Sequence, residues 1–137
     1  LSKSTGKYTS LAHSYIGSCY YFGGSGINQD YNKAVKYFTL ACESSGEARA
    51  MQMLSWFYLY GMGHVAKNFE KGIELMLKSA ENHYPWGHHY LGTYYETGQF
   101  GLQKNLDKAI EHYGKSLVQE SKPCLERVQQ LKQKEKH

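Results

Sequence analysis

Proline and cysteine are scarce in this chain, with two and three residues, and no apolar run reaches 18 residues. Without such a run no apolar helix can span a bilayer. Cys19, Cys42 and Cys124 are odd in number and lack any C-x-x-C spacing, so neither a disulfide framework nor a zinc site is expected. They are expected to fill small apolar positions. There is no Asn-x-Ser/Thr sequon, no low-complexity tract and no Gly-Lys-Ser/Thr phosphate loop. No nucleophile with a base and no paired carboxylates stand in a recognisable motif, so no catalytic residue is assigned and no enzyme is expected. The chain opens at Leu1 with no secretory signal, as expected of a processed form or an excised piece.

What is abundant is tyrosine, 13 residues in 137. Such rings fill gaps between helices while keeping a polar tip. The net charge of +4 is uneven. Residues 1–121 hold 11 basic and 10 acidic side chains, and residues 122–137 hold five and two. The basicity thus belongs mainly to the last segment, and no basic stripe runs through the body. A solvated terminal helix is expected, and nucleic acid is an unlikely partner.

The organising feature is a repeat. "YYFGGSGINQDYNKA" (20–34) aligns with "YLYGMGHVAKNFEKG" (58–72) and with "YETGQFGLQKNLDKA" (95–109). Its anchors are Tyr20, Tyr58 and Tyr95, then Gly23, Gly61 and Gly98, then Ile27, Val65 and Leu102. Asp30, Asn68 and Asn105 follow, then Lys33, Lys71 and Lys108, and Ala34, Gly72 and Ala109. Upstream, Ala12, Ala50 and Gly87 align, as do Ile16, Leu54 and Leu91, and Gly17, Ser55 and Gly92. A period of 38 and then 37 residues predicts a solenoid of stacked units.

Each unit reads as two helices. Ala12, Ile16 and Tyr20 fall four apart on one helical face. The glycines end the first helix, Asp30, Asn68 and Asn105 are placed to cap the second, and Gly17, Ser55 and Gly92 leave room for a partner helix. The predicted fold is therefore all-α, a single domain over 1–137 with repeats at about 8–46, 47–83 and 84–121. Pro123 opens a last segment whose stripe of Cys124, Leu125, Val128 and Leu131 predicts a capping helix over 122–136. No cap precedes residue 8, so either the first repeat exposes an edge or upstream sequence is missing.

These residues resemble Sel1-like repeats, relatives of the tetratricopeptide repeats. The family pattern appears as "AHSYIGSCYYFGGSGINQDYNKAVKYFTLAC" at 12–42. The second copy departs from it at Ser55, Asn68 and Gly72, the third at Asn105 and Gly114. One branch of the family staples each pair with two cysteines eight residues apart. Cys42 stands at the first position and Ala50 at the second, so that branch is not matched. The resemblance implies an α-solenoid scaffold or adaptor that binds another protein and needs no cofactor. A spacer within a longer array, or an anionic-surface binder acting through the basic tail, are the alternatives.

By analogy with tetratricopeptide arrays, first helices should line the concave side. The residues then expected in the groove are Leu11, Ser14, Ser18, Tyr21 and Phe22 in the first copy. In the second they are Arg49, Gln52, Trp56, Leu59 and Tyr60, and in the third Trp86, His89, Thr93, Glu96 and Thr97. Tyr21, Arg49, Gln52, Trp56, Tyr60, Trp86 and His89 match the composition of binding hot spots and are the candidate partner-binding residues. Trp56 and Trp86 could equally pack gaps between repeats. Seven histidines raise the question of a metal, but adjacent His88 and His89 point about 100° apart on a helix, and His83 and His112 lack ligand-spaced companions. No metal site is expected.

Overall fold

Helix ends in this chain are set by the recurring Gly and Asp/Asn positions. In a computed structural model, which describes residues 3–45, 47–116 and 129–134, each predicted unit is a helix pair. The pairs are α1 (Lys3–Phe22) with α2 (Tyr31–Ser45), α3 (Ala48–Tyr60) with α4 (Phe69–Glu81), and α5 (Pro85–Thr97) with α6 (Leu106–Lys115). Residues 129–134 form a further helical segment, α7. Among the described residues there is no strand, so the fold is an all-α solenoid.

One clasp builds all three turns. Gly23, Gly61 and Gly98 lie in the left-handed region, at φ +72°, +65° and +68°, where a side chain would be strained. The N–H groups of Gly61 and Gly98 close helix ends on the carbonyls of Phe57 and Tyr94. Asp30, Asn68 and Asn105 then accept from the backbone N–H of Lys33, Lys71 and Lys108 at 3.1, 3.1 and 3.0 Å. Their own N–H groups donate to the carbonyls of Tyr20, Tyr58 and Tyr95 at 2.8, 2.8 and 2.9 Å. The same lysines set their ammonium groups over those tyrosine rings, 5.4, 5.3 and 5.3 Å from the centroids. The repeated Tyr and Lys columns are thus a cation–π pair that fastens each turn.

Small residues let the paired helices approach. A Cβ at Gly17 would lie 2.9 Å from the Phe38 ring, and one at Gly92 would lie 2.7 Å from the Tyr113 ring. In the middle pair the small residue has moved across the interface. Ser55 is buried and donates to the carbonyl of Gly72 at 2.6 Å. A Cβ on Gly72 would fall 2.5 Å from Leu59, so the two departures of this copy compensate each other.

Packing continues from pair to pair. Ala34, Val35, Phe38 and Ala41 of α2 bury Ala50, Met53, Leu54 and Phe57 of α3. Met76 and Ala80 of α4 meet Leu91 and Tyr94 of α5, together with Leu59 of α3. Ala109 and Tyr113 of α6 are covered by fully buried Leu131 of α7. Leu131 thus does what a capping residue should. Cys124, Leu125 and Val128, the rest of the expected stripe, lie outside the described residues, as do the remaining ends of the expected 122–136 helix.

Candidate functional site

The first helices of the second and third pairs carry a continuous aromatic surface. Trp56 on α3 meets Tyr90 on α5 edge to face, with centroids 5.2 Å apart. Trp86 lies 6.2 Å from Tyr90 and 5.4 Å from His89. Further along, Phe100 sits edge to face with Tyr94, Tyr60 and Phe69, at 4.8, 5.4 and 5.7 Å. Trp86 is 42 % exposed and Tyr60 is 56 % exposed, whereas Trp56, His89 and Tyr90 are half-buried and Tyr94 is buried.

Trp56 has a structural duty as well. Its indole N–H donates to the Tyr94 hydroxyl at 3.2 Å, from α3 to α5. Burial, chiefly, holds the Tyr94 hydroxyl well above the usual phenol range and keeps it neutral, against the opposing effect of the Trp56 bond.

Of the residues expected in the groove, Trp56, Trp86 and His89 are brought together through Tyr90, and Tyr60 joins them through Phe100 and Tyr94. Arg49 is exposed at the start of α3, and its charge acts on the Tyr84 hydroxyl, opposing the upward push of burial. Tyr21 packs with Phe22, Tyr31 and Phe57 on the first pair's side. Burial first, then Tyr31 and Tyr60, raise its hydroxyl pKa, so Tyr60 lies within electrostatic range of α1. Tyr60 acts on Tyr90 in the same way from the other side.

Gln52 is a correction. It is 3 % exposed and its Nε2 has no partner, so it does not line an open surface. Ser14, Ser18, Leu59 and Glu96 are buried too. Leu59 faces Gly72 of α4 and Glu96 accepts from the Tyr113 hydroxyl of α6, so the second helix of the same pair meets these positions. Tyr90 and Phe100 are members that the sequence reading missed. Tyr90 could have been found one turn after Trp86, but Phe100 lies in a turn, where helical spacing gives no signal.

The histidines are arranged in a way spacing did not foretell. His88 Nδ1 and His112 Nδ1 are 3.1 Å apart, so one ring donates and the other accepts. His112 also stacks on Tyr95, with 3° between planes. Burial, followed by the charge of His88, holds His112 down to about 4. Burial also lowers His88 and His89. No group of three or more His, Cys, Asp or Glu among the described residues is placed to hold a metal ion. Cys42 is pushed up to about 12, chiefly by burial, and is an inert packing thiol at neutral pH. Among the described residues no helix is long and apolar enough to cross a membrane.

Known proteins share this arrangement. The chain is 35 % identical over 103 residues to the ERAD-associated E3 ubiquitin-protein ligase component HRD3B of Arabidopsis thaliana, covering 75 % of this chain and 16 % of that protein. It is 29 % identical over 107 residues to chitin synthase regulatory factor 1 of Schizosaccharomyces pombe, covering 77 % and 23 %. The chain therefore spans less than a quarter of the length of either relative. Among solved structures, a protective antigen of uropathogenic Escherichia coli with an SLR fold superposes with a TM-score of 0.75 at 31 % identity, over 87 % of this chain and 25 % of that one. A Sel1 repeat protein from Oxalobacter formigenes superposes with a TM-score of 0.71 at 26 % identity, over 93 % and 92 %. The family model described as Sel1 repeat matches residues 10–45, 48–84 and 87–117, one match per helix pair, and the chain belongs to the Sel1 repeat family.

Proposed function

We propose that this chain is a protein-binding scaffold whose aromatic face on α3 and α5 holds a segment of a partner protein. Sel1 repeat proteins generally mediate protein–protein interaction, and the family is a non-catalytic scaffold family. The observation that carries the reading is the joined aromatic surface, in which exposed Trp86 packs on half-buried Tyr90 and exposed Tyr60 on Phe100, while Tyr90 meets Trp56 and Phe100 meets buried Tyr94. Large rigid rings held in place from below give contact area at little entropic cost, which is what binding hot spots use. Arg49 and His89 at its margin supply one cation and one polar ring. A single arginine is too little for a clamp on a chain's terminal carboxylate, so an internal segment is the fitting partner.

The test is to select binders from a displayed peptide library on the wild-type chain and to titrate one selected peptide against variants. Trp86→Ala and Tyr60→Ala should each weaken it by about 10- to 100-fold, the effect of losing an anchor of about 1.4–2.8 kcal/mol. Changing Lys132 and Lys134 to Ala should leave affinity unchanged. If instead the lysine variant loses the peptide and binding falls steeply with salt, the basic C-terminal segment is the site and this reading fails.

A further inference from the structure

The two helices that carry the aromatic face hold almost no charge. Between Ala50 and Tyr60 of α3 there is no Asp, Glu, Lys or Arg. Between Pro85 and Thr97 of α5 there is only Glu96, which is buried and accepts from the Tyr113 hydroxyl. Charged groups border the face at its ends. At one end Arg49 and Glu47 act on the Tyr84 hydroxyl, and the Glu47 carboxylate accepts from the N–H groups of Arg49 and Ala50. At the other, Lys67 lies over the Phe69 ring, 5.9 Å from its centroid.

The polar atoms of the face are donors without takers. The Trp86 indole N–H can only donate, and the Tyr60 and Tyr90 hydroxyls can donate as well. Among the described residues none of these three groups has a hydrogen-bond partner. Tyr60 acts on the hydroxyls of Tyr21, Tyr90 and Tyr94, so the phenols cluster across α1, α3 and α5. The rings stand edge to face, Trp56 at 73° to Tyr90 and Tyr60 at 89° to Phe100, which makes notches and not a flat plate.

We propose that the segment held by this face is uncharged and proline-rich, bound in the polyproline II conformation. The inference rests on the scaffold reading above and names the partner's chemistry. A charged side chain laid over the face would lose its water and find no counter-charge. A donor left unpaired beneath a partner costs free energy, so the partner must bring acceptors. An α-helix already uses its carbonyls on its own N–H groups. A strand needs a sheet edge to pair with, and the described residues contain no strand. A polyproline II segment has no internal hydrogen bonds, so its carbonyls are free to accept, and its prolines bring no N–H of their own. Prolyl rings also pack in aromatic-lined grooves, and the stiff conformation has little entropy to lose.

The test is a fluorescence titration of the wild-type chain, whose two tryptophans, Trp56 and Trp86, both lie in the face. The probes are capped dodecapeptides of repeated Pro-Pro-Leu and of the helix-forming repeat Ala-Gln-Leu. The proline peptide should bind about tenfold or more tightly than the other, with an affinity unchanged between about 50 and about 500 mM salt. Tyr60→Phe keeps the ring and removes the hydroxyl, and should weaken the proline peptide by about 3- to 10-fold. Trp86→Ala should weaken it by about 10- to 100-fold. Circular dichroism of both variants establishes that they are folded. Equal binding of the two peptides overturns the inference, as does undiminished affinity of Tyr60→Phe or Trp86→Ala for the proline peptide. Library-selected peptides that need Trp86 but lack proline also overturn it, while the scaffold reading stands. A library that yields no peptide dependent on Trp86 or Tyr60 overturns both.

Discussion

The indole N–H of Trp56 and the hydroxyl of Tyr94 meet at 3.2 Å across a repeat boundary, 38 positions apart in the sequence. One residue thus serves two purposes: its ring belongs to the aromatic surface, and its nitrogen bolts α3 to α5. Trp56→Phe keeps most of the ring and removes the donor, which should cost about 1 kcal/mol. Trp56→Ala should cost about 3–5 kcal/mol, because a large partly buried ring is lost. Chemical unfolding of both variants checks this. A Trp56→Ala protein as stable as wild type would mean that the indole serves only the surface.

Gly92 faces the Tyr113 ring so closely that a Cβ there would lie 2.7 Å from Cδ1. The Tyr113 hydroxyl is held by Glu96 at 2.9 Å and lies 3.1 Å from Thr93, so the ring has little freedom to retreat. Gly92→Leu should therefore destabilise by about 1–3 kcal/mol through overpacking. An unchanged unfolding midpoint would contradict the close approach.

Phe100 adopts φ +56°, an uncommon conformation for a bulky residue. Ser25 and Gly63 occupy the same place in the other turns with φ +52° and +61°, so the turn imposes the conformation on whatever side chain it receives. Phe100→Gly removes that strain, worth about 1 kcal/mol, but loses the ring that joins Tyr60, Phe69 and Tyr94. Ring loss should win, giving net destabilisation of about 1–3 kcal/mol. A stabilised Phe100→Gly protein in a thermal melt would show that the aromatic contacts contribute little.

The His88–His112 pair makes stability depend on pH. Both rings have pKa values lowered from the ordinary 6.5, so the folded state binds fewer protons than the unfolded one. Their contribution is complete above about 6.5 and is lost as pH falls from there toward about 4, the value for His112. Lys108 and Lys115 add to the effect on His112, and Glu111 opposes it. On His88, Lys115 lowers and Glu81 and Glu111 raise the pKa. The urea midpoint should fall between pH 7 and pH 5, and His112→Asn should flatten that fall. A variant with the same pH dependence as wild type would assign the effect to other groups.

Much of this protein was legible in the sequence because its repeat is local chemistry written three times. Asp30, Asn68 and Asn105 cap helices through their own backbone neighbours, and Gly23, Gly61 and Gly98 adopt φ values that neighbouring residues in the turn require. Such features depend on a few consecutive residues, so spacing alone predicts the six helices, their pairing and the small residues at Gly17 and Gly92. What spacing could not resolve was which of several adjacent phases of a first helix stays at the surface. Gln52 and Trp56 lie one turn apart on α3, yet Gln52 is buried while Trp56 is half-buried against Tyr90 of the next pair. The Ser55–Gly72 exchange, the His88–His112 contact and the docking of Phe100 on Tyr60 join residues 17, 24 and 40 positions apart. Those contacts exist only once helices of fixed length are laid side by side, and the distances between side chains that they set were decided by the tertiary structure.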